Sequence, residues 1–174
     1  MSTISCLSGT LFRFDSDLSR TIMTEGLTIP NGIGWSQDHK TLYFTHSTDK
    51  KIYAYDFDAT TGAISNKRTF WTLEGEGDPD GFKMDRDGYI WQCVYGQGRV
   101  LRLSPEGKIV GEISLPTRCV TCPTFVGEEL WITSAVEEDP EKYPESVKYG
   151  GGLFKVNVGI TGLQDYKFKL DQKI

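Results

Sequence analysis

The chain has 174 residues, of which 38% are apolar and 25% charged, as expected for one globular domain with a real core. Its net charge is −5 and its basic residues are scattered singly, which argues against a nucleic-acid partner. No apolar run approaches the roughly 18 residues that cross a bilayer, so no membrane partner is expected. Residues 1–6 carry neither a basic nor an apolar signal segment, and we expect a cytoplasmic protein.

The chain repeats one order of short strands. An outer half unit at residues 9–25 is followed by three full units at residues 31–73, 80–113 and 122–170. The aromatic residues Tyr43, Trp91 and Trp131 stand at matching positions, 48 and 40 residues apart. A period of this length, with four strands in each unit, is typical of propeller blades. The fourth strands are predicted near residues 67–73, 108–113 and 164–170.

Turns and periodicity favour the same all-β architecture. Asp85-Arg86-Asp87-Gly88 and the SPEG turn at residues 104–107 place glycine where a hairpin needs a positive φ. No segment sustains an apolar period of 3.6 residues, so helix should be minimal. The prediction is a partial propeller of about three and a half four-stranded blades. Closed propellers need about four to eight blades, so apolar side chains on two open faces should be exposed.

Several ordered motifs carry a family resemblance. The segments are IPNGIGWSQD at 29–38, PDGFKMDRDGYIW at 79–91, LPTRCVTCPTFVGEELWITS at 115–134 and GGGLF at 150–154. Together they resemble the C-terminal part of the senescence-marker protein, gluconolactonase and luciferin-regenerating-enzyme family. The resemblance covers nearly the whole chain from residue 9, treated as a single region, and implies that the N-terminal blades of the family are absent from it.

The resemblance implies a six-bladed propeller that hydrolyses a sugar lactone with one divalent metal in its central channel. The metal would be held by a first-blade Glu, an Asn and an Asp, and Asn31 and Asp80 match the last two. Asp80 would also relay a proton, as the catalytic residue. The first-blade Glu, and the Arg and Asn that contact substrate, belong to the absent blades. His46 departs from the pattern, which usually has Asp after that strand.

The residues themselves point to a similar centre. Asn31 and Asp80 each open the innermost strand of a unit, and rotational repetition directs equivalent positions toward a common axis. Their amide and carboxylate oxygens suit the hard cations Ca²⁺, Mg²⁺ or Mn²⁺. Ca²⁺ is the first choice, and Zn²⁺, a softer ion, is a further alternative. The glycine after each, Gly32 or Gly81, permits close backbone approach. The alternative is that Asn-Gly and Asp-Gly simply form turns.

Two other groups of residues invite a chemical interpretation. Cys119 and Cys122 have the C-x-x-C spacing of zinc and redox sites, but no second pair follows, which favours two reduced thiols in a strand. A hydrolase triad could be sought among five polar residues: Ser36, Asp38, His39, His46 and Asp49. The G-x-S-x-G motif is absent, and these residues lie on a predicted hairpin, so a triad is disfavoured.

Aromatic spacing and one acidic loop complete the expectations. Trp35, Trp91 and Trp131 are predicted to pack between blades. The loop at residues 137–144 should be a solvated surface loop, with a lid over the channel mouth as the alternative.

Two functions remain open on the sequence alone. The first is a gluconolactonase-like carboxylic ester hydrolase acting on a small-molecule lactone. The alternative is a truncated, non-catalytic propeller fragment that serves as an interaction or self-associating module. In either case, self-association or a partner chain could complete the propeller.

Overall fold

The computed structural model describes residues 9–171, which form four antiparallel sheets. The first sheet contains β1 (Gly9–Phe14) and β2 (Arg20–Leu27). The second contains β3 (Pro30–Trp35), β4 (Thr41–His46), β5 (Lys51–Asp58) and β6 (Ala63–Thr72). The third contains β7 (Asp78–Met84), β8 (Ile90–Tyr95), β9 (Arg99–Leu103) and β10 (Ile109–Ser114). The fourth contains β11 (Val120–Val126), β12 (Glu129–Ser134) and β13 (Leu153–Asn157).

Helix is confined to short turns within this described part of the chain. A 3₁₀ turn covers Ser47–Asp49, and the one-turn helix α1 covers Pro144–Val147. No helix among residues 9–171 has the length and apolarity that a membrane span requires. The predicted all-β fold with little helix is confirmed.

The sheets stack on one another through their innermost strands. Strand β3 lies against β7, and β7 lies against β11. One apolar cluster joins the second and third sheets, with Ile52 and Phe82 among its buried members. Another joins the third and fourth sheets, with Val100 and Leu130 fully buried. The arrangement is propeller-like, and the described sheets do not close into a ring.

The tryptophans do not all pack between sheets. Trp91 is buried, and its ring meets the Phe125 ring edge-on across the third and fourth sheets at 6.2 Å. Trp131 is half-buried. Trp35 is 39% exposed and contacts Phe57 of its own sheet, so its predicted inter-blade packing is wrong. The Trp35 ring instead lines an open cavity, together with Met84 and Tyr166.

Residues 161–171 do not add a fourth strand to the last sheet. The backbone N–H of Arg86 donates to Thr161 O, and that of Leu163 donates to Met84 O, each at 3.0 Å. This segment therefore takes its hydrogen bonds from the end of β7 rather than from β13. The strand predicted near residues 164–170 is wrong for that reason.

Asp85 holds the β7–β8 turn from the inside. Its side chain is fully buried, and its Oδ1 accepts the backbone N–H groups of Asp87 and Tyr89 at 3.1 and 2.9 Å. Its Oδ2 accepts Trp91 Nε1 at 3.0 Å and Arg102 Nη2 at 2.8 Å. One carboxylate thus accepts hydrogen bonds from four residues, which fixes the turn and the strand after it.

Large apolar side chains are exposed on both outer sheets. Phe14 and Ile22 of the first sheet are 54% and 52% exposed, and Val126 and Leu153 of the fourth are 57% and 59% exposed. These are the open faces expected from the incomplete repeat.

Candidate functional site

The three innermost strands share one β-bulge. In each, the chain advances three residues while its partner strand advances two. The residue pairs that flank the bulge are Pro30–His46 and Ile33–Phe44 between β3 and β4. They are Pro79–Val94 and Phe82–Gln92 between β7 and β8, and Val120–Ser134 and Pro123–Ile132 between β11 and β12. A bulge inserts one extra residue and re-aims the side chains beside it. Asn31, Asp80 and Thr121 are therefore structurally equivalent, and the repeat brings three polar side chains to the same place in three adjacent sheets.

Thr121 is a residue that the sequence reading missed. The sequence predicts a third unit that begins at Cys122, but the strand register makes Cys122 the equivalent of Gly32 and Gly81. The third unit lacks the Pro-x-Gly signal of the other two, so only the pairing register reveals the one-residue offset. Thr121 Oγ1 lies 2.7 Å from Thr133 Oγ1 on the partner strand.

The two glycines allow the innermost strands to approach one another. A Cβ on Gly32 would lie 2.9 Å from Phe82 N and 3.1 Å from Asp80 O. A Cβ on Gly81 would lie 2.6 Å from the Sγ of Cys122. Neither glycine has a positive φ, and both lie within strands. The turn interpretation of Asn-Gly and Asp-Gly therefore does not hold, and close approach is their role.

The structure brings Asn31 and Asp80 together. Burial raises the pKa of the Asp80 carboxyl, and the negative charge of Asp78 acts in the same direction. Hydrogen bonding from the Asn31 side chain and from the Gly81 backbone N–H opposes this effect and stabilises the carboxylate. Asp80 is thus a partly desolvated acid, and the side chain beside it is that of Asn31, the other predicted metal ligand.

Asn31 is tied to the third sheet through a serine. Its Nδ2 donates to Ser47 Oγ at 3.3 Å, and Ser47 Oγ donates to Pro79 O at 2.7 Å. In this arrangement the amide nitrogen faces Asp80. A half-turn of the terminal amide about χ2, which has a broad two-fold profile, would present the amide oxygen instead.

The donor set fits a hard divalent cation. Within residues 9–171, no three His, Cys, Asp or Glu side chains gather as a metal cluster. Asn31 and Asp80 together offer one amide oxygen and one carboxylate, the ligand types that Ca²⁺ and Mg²⁺ prefer. Any further oxygens would have to come from water, substrate or other protein groups.

Burial of Asp80 has a consequence for stability. Because the pKa of Asp80 is raised in the folded chain, ionisation of its carboxyl opposes folding. The free energy of unfolding therefore falls as the pH rises from the pKa of an ordinary Asp through the pKa of Asp80 in the folded chain. Asp80→Asn should therefore raise the melting temperature at neutral pH. The gain should vanish in acid, below the ordinary Asp pKa of about 3.9. Calorimetry across this range checks it, and an equal gain at both ends would contradict it.

No hydrolase triad forms around Ser36. Its hydroxyl donates to Asp38 Oδ1 at 2.6 Å, as part of the turn between β3 and β4. His39 Nε2 instead lies 3.0 Å from the Tyr166 hydroxyl. The serine is therefore held by an acid and has no histidine base, in agreement with the missing nucleophile motif.

His46 has a structural role at the end of β4. Its Nδ1 lies 2.7 Å from Asp49 Oδ2, and its Nε2 accepts the backbone N–H of Thr28 at 3.0 Å. Because Nε2 is an acceptor, the neutral ring carries its proton on Nδ1 and donates it to Asp49. The departure from the family pattern at this position is thus accommodated by local hydrogen bonds.

The C-x-x-C cysteines do not form a common site. Cys119 is buried, whereas Cys122 is exposed, and both are free thiols, as is the buried Cys93. No metal cluster in the described range includes them. Cys6 lies outside the described residues.

The acidic loop after β12 is anchored rather than fully solvated. Glu137 is buried and pairs with Arg118, whose Nη1 lies 3.0 Å from its Oε1. Ser146 Oγ accepts the Arg118 backbone N–H at 2.9 Å, and the Tyr95 hydroxyl donates to Glu138 Oε1 at 2.8 Å. Since β12 ends where β11 begins, the loop leaves the sheet at the edge that carries the bulges.

A cavity of about 1030 Å³ lies elsewhere, toward the opposite ends of β3 and β7. Trp35, Met84 and Tyr166 are among its lining residues, and neither Asn31 nor Asp80 is. Its walls are mainly apolar, and Asp165 is the carboxylate among its lining residues.

These features define the class of protein: stacked antiparallel sheets that carry polar side chains at equivalent bulges of a propeller-like repeat. The chain belongs to the SMP-30/gluconolactonase/LRE-like family, whose pattern matches residues 2–136. The family resemblance seen in the motifs is confirmed.

Similar proteins cover nearly all of the chain. Regucalcin from Xenopus laevis is 37% identical over 166 residues, which cover 92% of this chain and 56% of the relative. A luciferin-regenerating enzyme matches with a TM-score of 0.88 and 29% identity, over 98% of this chain and 60% of that one. A calcium-binding regucalcin from Agrobacterium tumefaciens matches with a TM-score of 0.81 and 25% identity, over 94% and 56%. The chain therefore spans little more than half the length of these relatives.

Proposed function

We propose that this chain is part of a sugar-lactone hydrolase whose divalent-cation centre includes Asn31 and Asp80. The observation that carries the proposal is the shared bulge, which brings an amide and a desolvated carboxylate together on adjacent innermost strands. Family membership supports a lactonase-like activity. In this proposal the chain is a portion of a six-bladed propeller, with a half blade at 9–25 and blades at residues 31–73, 80–113 and 122–170. The last of these blades has three described strands in its own sheet, β11 to β13.

The proposed chemistry divides between the ion and the protein. A bound divalent cation would polarise the lactone carbonyl and lower the pKa of a bound water. Asp80 would hold that water and accept its proton as the general base. Asn31 would orient the centre without carrying charge.

The proposed cation is Ca²⁺, with Zn²⁺, Mn²⁺ and Mg²⁺ as alternatives. A calcium-binding relative supports this choice. Ca²⁺ takes about six to eight oxygens, and this pair supplies two side chains and one formal charge. We expect the chain alone to bind Ca²⁺ no tighter than about the millimolar range. Calorimetry on the purified chain measures this, and micromolar affinity in a monomer would overturn it.

Lactone hydrolysis tests the function directly. The purified chain would be assayed on aldonolactones with each of the four cations, beside Asp80→Ala and the matched control Asp87→Ala. Asp87 is an exposed acid on the neighbouring turn. We expect Asp80→Ala to lower the rate at least tenfold and the control to retain it. An unchanged rate in Asp80→Ala removes the metal-centre proposal, and no rate with any cation removes hydrolysis by this chain.

Exposed apolar faces on the first and fourth sheets support self-association. We expect the purified chain to run as a dimer or larger discrete species in gel filtration with light scattering. Phe14→Ser with Ile22→Ser should shift it toward the monomer. A well-folded wild-type monomer at high concentration would contradict the expectation.

A further inference from the structure

Gln92 is a fully buried amide directly behind the bulge that carries Asp80. The two hydrogens of its Nε2 are shared among three backbone carbonyls: Asp80 O at 3.0 Å, Gly81 O at 3.2 Å and Cys93 O at 2.8 Å. Its Oε1 accepts the Thr45 hydroxyl of the second sheet at 3.1 Å. The side chain therefore binds the backbone of the bulge on one side and the neighbouring sheet on the other.

The fold itself does not require a polar residue here. The register places Phe44 opposite Ile33 and Ile132 opposite Pro123, at the positions equivalent to Gln92. Both are buried apolar side chains. A buried amide is costly unless it is hydrogen-bonded, so a sheet without special needs would place an apolar residue here as well. The buried amide of Gln92 instead lies in the third sheet, whose bulge carries the Asp80 carboxylate.

The bulge explains what the amide does. A bulge interrupts the strand ladder, and in β7 the carbonyls of Asp80 and Gly81 accept hydrogen bonds from the Gln92 side chain. Because Thr45 lies between the two β4 residues that flank the Asn31 bulge in the register, the same side chain also ties the two bulges together.

We propose that Gln92 is a positioning residue for the cation centre, and that it fixes the Asp80 bulge at a set distance from Asn31. The inference rests on the proposed function, since it assumes that Asp80 and Asn31 share an ion. Gln92 touches neither the ion nor the substrate and acts through the backbone of Asp80.

The test compares Gln92→Leu and the double variant Thr45→Val with Gln92→Leu. The double variant removes both hydrogen-bonding partners and so leaves no unpaired hydroxyl. Thr117→Val is the control, because Thr117 is equally buried but bonds to Ser146, away from the bulge. Mn²⁺ affinity would be measured by electron paramagnetic resonance, and bulge motion by ¹⁵N relaxation dispersion of residues 79–82.

We expect both Gln92 variants to bind Mn²⁺ about ten- to a hundredfold more weakly, with new exchange confined to residues 79–82. The Thr117→Val control should keep wild-type affinity despite its own loss of stability. Wild-type affinity and a quiet bulge in both Gln92 variants would overturn the inference. If the wild type binds no Mn²⁺, the proposed function fails, and the dispersion result alone decides whether Gln92 positions the bulge.

Discussion

Replacing Asp85 with alanine is expected to lower the free energy of unfolding by about 3–5 kcal/mol. The side chain is fully buried and satisfies the Trp91 indole N–H, the Arg102 guanidinium and two backbone N–H groups of its turn. Alanine leaves all of these donors without their acceptor and leaves the positive charge of Arg102 uncompensated. Urea denaturation measures the loss.

Asp87→Ala is the matched control for this prediction. Its side chain is 59% exposed and lies 3.9 Å from the Arg86 guanidinium, so its loss should change stability by no more than about 0.5 kcal/mol. A loss below about 1 kcal/mol in Asp85→Ala would show that the buried network does not hold the third sheet.

Gly32→Ala is expected to cost about 1–3 kcal/mol and to weaken cation binding at least tenfold. The added Cβ would meet the Phe82 ring and lie 2.9 Å from Phe82 N, so β3 and β7 would have to separate. Any separation moves Asn31 away from Asp80. The two effects should therefore appear together, in thermal unfolding and in Mn²⁺ binding.

Gly111→Ala is the control for the glycine prediction. Gly111 lies in β10, and its nearest neighbour would be Arg102 Cβ at an ordinary 3.6 Å. This variant should retain both stability and cation binding. Full cation binding in Gly32→Ala would mean that the close approach of β3 and β7 does not set the site.

The repeat could be predicted from the sequence because strand order and turn chemistry are local. Asp85-Arg86-Asp87-Gly88 contains its own turn signal, and Gly88 has the expected positive φ of +85°. The equivalence of Asn31 and Asp80 followed from the motifs around them. Their roles as metal ligands and, for Asp80, as catalytic residue stay predictions.

The parts of the fold and of the candidate site that the sequence did not predict depend on strand register and tertiary contacts, which no local sequence pattern encodes. Thr121 was missed because the third unit lacks the Pro-x-Gly signal of the other two, so that only the strand register aligns it. Gln92 was missed because a lone glutamine has no motif. The strand near residues 164–170 was predicted from the repeat, yet residues 161–163, which lead into this segment, bond to the end of β7 and the turn after it. Trp35 matches Trp91 and Trp131 in residue type, but it lies on the innermost strand β3, whereas they lie on the second strands β8 and β12.

The most direct test of the shared cation centre is a titration of the ¹⁵N-labelled chain with Mn²⁺, whose unpaired electrons broaden nearby amide resonances. We expect the amides around Asn31 and Asp80 to broaden together, and both effects to vanish in Asn31→Ala and in Asp80→Asn. Broadening confined to the acidic loop at residues 137–141, or unchanged in Asp80→Asn, would contradict a centre formed by these two side chains.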